Sequence, residues 1–408
     1  MVHAGNLLSN GVIMIEILHK EPGINSEGIQ KLPIKSWVTD LEDTARTQAI
    51  NLANLPFAFK HIALMPDCHM GYGMPIGGVL ATKDAIVPNA VGVDIGCGVL
   101  AMQTDLHDVS QDDLKKILDD VRKRIPTGFN KHPYLQERAS FMPTGVASEI
   151  ISLNFGNAVS SLGTLGGGNH FIEIQKGSDG FIWVMIHSGS RNLGKQVADY
   201  HNTVAQKLNA KYFSAVPKEY ELAFLPIGST EGMEYIADME YCVQFAKANR
   251  RDMLTQLQLS MQGILGDFGI SNGIDVAHNY ASIERHFGTE VVVHRKGATS
   301  AKEGEYCIIP GSQGTKSYIA RGKGNRDSFN SCPHGAGRKM GRNEAKRNLC
   351  FDLEKKRLDD MGVVHGMCTV NDLDEAAGAY KDITQVMENA QDLCEIQIEL
   401  TPMCVIKG

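Results

Sequence analysis

Thiol, imidazole and carboxylate side chains recur between glycines at several places along this 408-residue chain. Asp67, Cys68 and His69 fall in 65–71, Asp94 and Cys97 in 92–98, His170 in 166–173, His187 in 186–191 and His278 in 276–280. Residues 331–338 add His334 between further glycines. A lone histidine is as readily a satisfied core or surface group as a ligand, so none decides anything singly. As a set they say more. Asp94 and Cys97 are three apart on a loop whose glycines permit backbone angles that let both side chains converge. One thiolate, one carboxylate and three imidazoles suit borderline transition metals, not Ca²⁺ or Mg²⁺. Two metals sharing the thiolate fit the ligand count, and paired metals are suited to phosphoryl chemistry. A closed zinc site would instead bring four Cys or His ligands at tight spacing, which is not seen.

Familiar phosphate motifs do not account for the chain. Residues 189–195 fit G-x-x-x-x-G-K, but Gln196 stands where a Ser or Thr would hold Mg²⁺. This segment reads as an anion-holding helix N-terminus following a strand. The G-x-G-x-x-G, K-x-D-G and H-E-x-x-H patterns are absent.

The elements that must carry these groups are short strands among glycine turns, plus a few helices. Thr39 and Glu42 match a capping box before a helix ending near Pro56. Strand-like runs follow at 61–65, 78–82 and 99–104. Residues 110–125 form an amphipathic helix with Leu114, Ile117, Leu118 and Val121 on one face. Residues 171–175 and 181–186 read as two strands joined by a turn. Helices are expected over 192–209, 234–265 and 373–394, and a final strand within 394–407. Turns are too frequent for a regular βαβ series, which points to α+β, one compact mixed domain with sheets flanked by helices. Residues 1–28 read as an N-terminal extension to a catalytic domain over 29–408.

Composition is that of a globular protein: 43% hydrophobic, 21% charged, formal charge −7. Extensive disorder is excluded by the apolar content. The nine cysteines make no CxxC pair, which suits reduced thiols and a cytoplasmic location. No run approaches membrane-spanning length. Charge is uneven. Residues 294–347 hold twelve Lys or Arg against four Asp or Glu, a net +8 that leaves −15 for the remainder. That stretch suits a phosphate-rich partner and equally a solvated face.

Motif order narrows the choice. GVDIGCG at 92–98, LGGGNHFIEI at 165–174, HSGSR at 187–191, RKGATSA at 295–301, PGSQGTKSY at 310–318, HGAGR at 334–338 and the terminal VIKG together resemble the RtcB family of RNA-splicing ligases. The resemblance runs from about Leu32 to Gly408. It implies an enzyme joining RNA 2′,3′-cyclic phosphate or 3′-phosphate ends to 5′-hydroxyl ends with GTP and two Mn²⁺, in tRNA splicing or RNA repair. Carried over by position, Asp94, Cys97 and His170 bind one manganese; Cys97, His187 and His278 bind the other. His334 is the nucleophile toward the α-phosphate of GTP. Nucleotide contacts fall on Asn169, His170, Phe171, Ile172, Glu173, His278, Asn279, Pro310, Gly311, Ser312, Gln313, Ser317, His334, Gly335, Ala336, Gly337, Tyr380 and Lys407. Arg191 and His69 are RNA contacts, Asp67 supports the metal residues or touches RNA, and Cys68 is a bystander or a further thiol near the metals. The implied partners are RNA with those ends and an accessory activator protein.

Two other readings use the same residues. A dinuclear phosphodiesterase would open cyclic phosphates without joining ends, but needs no guanylate carrier and hence neither His334 nor Lys407. A non-catalytic RNA-binding protein has no use for the metal set.

Overall fold

Glu42 does not close a capping box with Thr39 in the computed structural model, which describes residues 15–17, 31–134, 136–145, 148–271 and 273–408. The helix spans Asp43–Ala53, and its N-cap Glu42 makes no side-chain cap. Its carboxylate instead accepts a hydrogen bond from the Met70 amide at the rim of the site. A tertiary partner has replaced the local one. The helix Gln111–Arg124 follows local rules: Ser110 caps it, and Leu114, Ile117, Leu118 and Val121 are its buried residues. Residues 373–394 are not one helix. Two 3₁₀ turns, Val370–Glu375 and Ala377–Ala379, precede the helix Ile383–Asn389. The break falls in Ala376-Ala-Gly-Ala, where Gly378 lies against the side-chain ends of Glu354 and Leu349.

Two sheets organise the chain, and α+β is the class observed. The six-stranded sheet runs in the order Ile15–Ile17, Ile34–Ser36, Ala58–Tyr72, Met74–Thr82, Thr289–Lys296, Asn279–His286. The first of these strands lies within the expected extension and pairs antiparallel with Ile34–Ser36 at the sheet edge; the rest of 1–28 lies outside the described residues. The second sheet runs Ile274–Ala277, Gly98–Gln103, Ile182–Ser188, Phe171–Gly177, Cys394–Lys407, Ser317–Gly322, Tyr306–Ile309. Its inner strands are buried nearly throughout, so they read as apolar runs without alternation. The 36-residue helix Thr230–Leu265 packs on this sheet, burying Tyr235, Phe245, Met253 and Leu257. Among the described residues no helix is long and apolar enough to cross a membrane, and the nine cysteines are free thiols.

Register explains what the glycine-rich loops are for. Ala277, Gly98 and Ser188 lie side by side on adjacent strands, and His187 pairs with Phe171, which pairs with Lys407. The residues at or just beyond these strand ends are therefore Cys97, His278, His187, His170 and Lys407. Five neighbouring strands deliver them to one end of the sheet. His278 is also the single residue between Ile274–Ala277 of one sheet and Asn279–His286 of the other. The chain changes sheets there, so the same end of the sheet faces residues of the second layer.

Candidate active site

Between the sheets lies a cavity of about 740 Å³. At one end, Cys97 Sγ stands 3.5 Å from His170 Nε2 and 3.4 Å from His187 Nε2. His187 Nε2 is 3.0 Å from His278 Nε2, and His170 Nε2 is 3.2 Å from Asp94 Oδ2. The donor atoms form two groups, Asp94–Cys97–His170 and Cys97–His187–His278, each within 4.8 Å. Burial, reinforced by the neighbouring imidazoles, holds His187 and His278 well below the usual histidine range, so their rings are neutral and available as ligands. Burial and the adjacent Asp94 push the Cys97 thiol well up. His170 Nδ1 is buried without a hydrogen-bond partner. Imidazoles, a carboxylate and a shared sulfur converging on one another fit two borderline divalent metal ions.

Local sequence makes this convergence possible. A Cβ on Gly189 would lie 2.4 Å from Asp94 Oδ1, so only glycine leaves room for that carboxylate. Cys97 N closes a turn on Asp94 O, and the Asn279 amide bridges Asp94 O and Gly297 N while its Oδ1 stands 3.4 Å from His278 Nδ1. That contact assigns the His278 proton to Nδ1 and leaves Nε2 for the metal.

His334 follows the strand Ser331–Pro333, its ring centre 4.7 Å from that of His278. Its Nδ1 donates to Asp67 Oδ2 at 2.6 Å, and its backbone N–H to the same oxygen at 3.1 Å. Asp67 is fully buried in Ala58–Tyr72. Gly337, at φ +72°, lets the His334 loop run against Asp67, where a Cβ would meet the Asp67 carbonyl at 2.3 Å. Nε2 is thus the nitrogen left for chemistry. Asp67 is the group whose importance the sequence understated; its only signal was an acid beside His69. His69 itself lines the cavity, its Nδ1 on the Asp67 carbonyl, and burial lowers its pKa to about 4. Cys68 points into the apolar core with Ile62 and Leu64, not to the metal donors.

The far end is built from charged groups of both signs. Glu375 accepts from Arg338 at 3.1 Å, Arg342 at 2.9 Å and the Tyr380 hydroxyl, and Lys407 Nζ lies 3.9 Å away. Burial alone would raise its pKa, but Lys407 and Arg338 hold it below the ordinary carboxylate value. Glu173 is different: burial raises it to about 8, against only Lys407 and Gln175. Lys407 Nζ also stands 5.7 Å from the Phe171 ring centre. Sequence reading missed Glu375, which is 33 or more residues from its arginines and sits in no motif; Arg338 lay within HGAGR.

Most anticipated nucleotide residues line the cavity: Asn169, His170, Phe171, Glu173, His278, Asn279, Pro310, Gly311, Ser312, Gln313, His334, Gly335, Ala336, Gly337, Tyr380 and Lys407. Ile172 and Ser317 do not. Ile172 alternates inward to the core with Ile174 and Ile186. Ser317 Oγ accepts from Gly311 N and Gln175 Nε2, bracing the loop from beneath. Arg191 is also outside the lining; its guanidinium donates to Thr164 Oγ1 and Gly128 O. In the 189–196 segment, Ser190 takes up the Gly194 and Leu193 amides and Lys195 pairs with Asp199. Part of the +8 charge is paired within the chain too, with Arg295 on buried Glu284, and Lys316 on Glu399 and Lys346 on Asp374 nearer the surface.

Known proteins resemble this chain along most of its length. A family model described as tRNA-splicing ligase RtcB matches residues 48–152 and 135–408. RNA-splicing ligase RtcB of Escherichia coli K12 is 38% identical, covering 93% of this chain and 98% of its own length. The tRNA-splicing ligase RtcB of Nanoarchaeum equitans is 32% identical over 94% and 97%, and RNA-splicing ligase RtcB of Mycobacterium bovis is 30% identical over 88% and 100%. The matched stretches carry every donor around Cys97 as well as Asp67 and His334, and the chain belongs to the RtcB family.

Proposed function

We propose that this chain is a GTP- and Mn²⁺-dependent RNA ligase joining 2′,3′-cyclic phosphate or 3′-phosphate ends to 5′-hydroxyl ends, in tRNA splicing or RNA repair. The observation that carries the reading is the 2.6 Å contact between His334 Nδ1 and buried Asp67, beside the shared-thiolate groups. Relatives named RNA-splicing ligases support it.

Asp67 accepts the Nδ1 proton and keeps the Nε2 lone pair available. Nε2 attacks the α-phosphorus of GTP; an N–P bond forms, the bond to the bridging oxygen breaks and pyrophosphate leaves. A cyclic RNA end is opened by water to a 3′-phosphate. That phosphate then takes the guanylate from His334, a P–O bond replacing P–N. The RNA 5′-hydroxyl finally attacks the 3′-phosphorus, closing the strand and expelling GMP, and its proton passes to solvent. When bound to the two donor groups, the cations supply neutralisation and in-line orientation of the phosphates. The Phe171–Glu173 and Tyr380–Lys407 end holds the guanine, with Glu173 and Lys407 offered to its polar edge. Lys339 and the half-exposed Arg342 at the rim meet the RNA phosphates.

The test is incubation with α-labelled GTP and Mn²⁺, then denaturation. Covalent label on wild type and none on His334→Ala is the expected result. Absence of label from folded, metal-loaded wild type, with cyclic ends still opened, would favour the phosphodiesterase instead.

A further inference from the structure

Neither Asn249 nor Arg250 lines the cavity, yet their bonds end on the segments that carry the metal donors. They are consecutive residues in the middle of the helix Thr230–Leu265, and both are wholly buried. Arg250 Nη1 donates to Gly96 O at 3.1 Å and Ser188 O at 2.9 Å, the carbonyls next to Cys97 and His187. Its Nε and Nη2 donate to Asp275 Oδ1 at 3.0 and 2.6 Å, three residues before His278. Asn249 Oδ1 accepts from Gly163 N and Thr164 N, at 2.8 and 3.1 Å, in the loop leading to His170. Its Nδ2 reaches Thr164 O, Ser188 Oγ and Gly189 O at 3.2, 3.2 and 3.3 Å.

Burying a guanidinium is costly, and apolar packing of the same volume commonly stabilises a core as well or better. What apolar packing cannot do is define the separation of several backbone carbonyls. Metal sites need their ligands placed to within about 0.2 Å, and here the four donor-bearing segments are as far apart in sequence as Cys97 and His278. Two adjacent side chains on one rigid helix give them a common reference.

We propose that Asn249 and Arg250 are positioning residues that set the spacing of Cys97, His170, His187 and His278, and so the affinity of the paired metal site. This rests on the reading of those donors as a metal centre.

Co²⁺ titration of Arg250→Lys and Asn249→Ser, followed through the thiolate-to-metal absorption band, tests it, with circular dichroism and thermal melting alongside. Outer partners of metal ligands typically account for about 10- to 100-fold in affinity. Both variants are expected to fold, to bind Co²⁺ about tenfold or more weakly, and to show an altered band. Met253→Ala, on the same helix in the apolar core, is expected to lower Tm with an unchanged isotherm. Folded variants with the wild-type isotherm and band would overturn the proposal. So would failure of both conservative variants to fold, which would make the pair a requirement of the core. A wild type that binds Co²⁺ with no thiolate band would instead overturn the metal reading itself.

Discussion

The two ends of the cavity solve opposite electrostatic problems. At the Cys97 end, a sulfur and three imidazoles face one another at 3.0–3.5 Å, and the cation behind them, Arg250, is committed to Gly96 O, Ser188 O and Asp275. At the Glu375 end, a buried carboxylate already has Arg338, Arg342 and Tyr380. The first arrangement turns lone-pair donors toward one another; the second pairs its carboxylate as the chain folds. On the proposed function, the first end would hold the metal and the second a neutral, hydrogen-bonding group such as a base.

Substitutions should therefore affect one end without the other. Cys97→Ala removes the donor common to both groups and is expected to reduce covalent guanylylation by about 10⁴-fold or more, with Co²⁺ binding lost in the same titration. Retained binding of two metals would break the comparison. Asp67→Asn keeps the volume but withdraws the charge behind His334. Guanylylation is expected to fall by about 10²- to 10⁴-fold, while metal affinity stays, measured by single-turnover labelling at saturating metal.

At the balanced end the effects should appear in stability. Glu375→Gln leaves Arg338 and Arg342 without their anion; with Arg342 half exposed, about 2 kcal/mol is expected, below the 3–5 of a fully buried pair. Glu375 titrates below its unfolded value, so its contribution is present above about pH 4.5 and is lost as pH falls through the depressed value. Urea unfolding at pH 7 and pH 4 should show wild type and variant converging in acid. Glu173→Gln should be the mildest. Its folded pKa is raised, to about 8, so the folded protein keeps a proton that the unfolded chain has released above about 4.5. Wild type then loses stability as pH rises between those values, and the variant should not. GTP preference over ATP is expected to fall by about 1 kcal/mol, read from competition in the labelling assay, with metal binding unchanged.

Legibility followed the range of the interactions. The helix Gln111–Arg124 was readable from Ser110 and its apolar stripe, because cap and period are local. The strands around Phe171 and His187 were readable for the same reason. The Thr39–Glu42 cap failed because Glu42 found a better partner 28 residues away. Residues 373–394 failed where the segment turns to hold Glu375 against Arg338 and Arg342, contacts that carry no local signal. Among site residues, histidines and cysteine between glycines stood out by type. Glu375, Asn249 and Arg250 did not, since an ordinary acid, amide or arginine becomes special only through what it touches.

The basic segment shows the same limit. Its +8 was plain from composition, but not that Arg295, Lys316 and Lys346 are paired with carboxylates of the chain. By itself the sequence determined the chemical inventory and the family, because residue types and motif order survive without geometry. Only the tertiary structure decided which donor atoms converge around Cys97, which nitrogen of His334 is taken up by Asp67, and which carboxylate is paired. Each of those depends on contacts between residues from about 70 to 270 positions apart, brought together by strand register and by a change of sheets at His278.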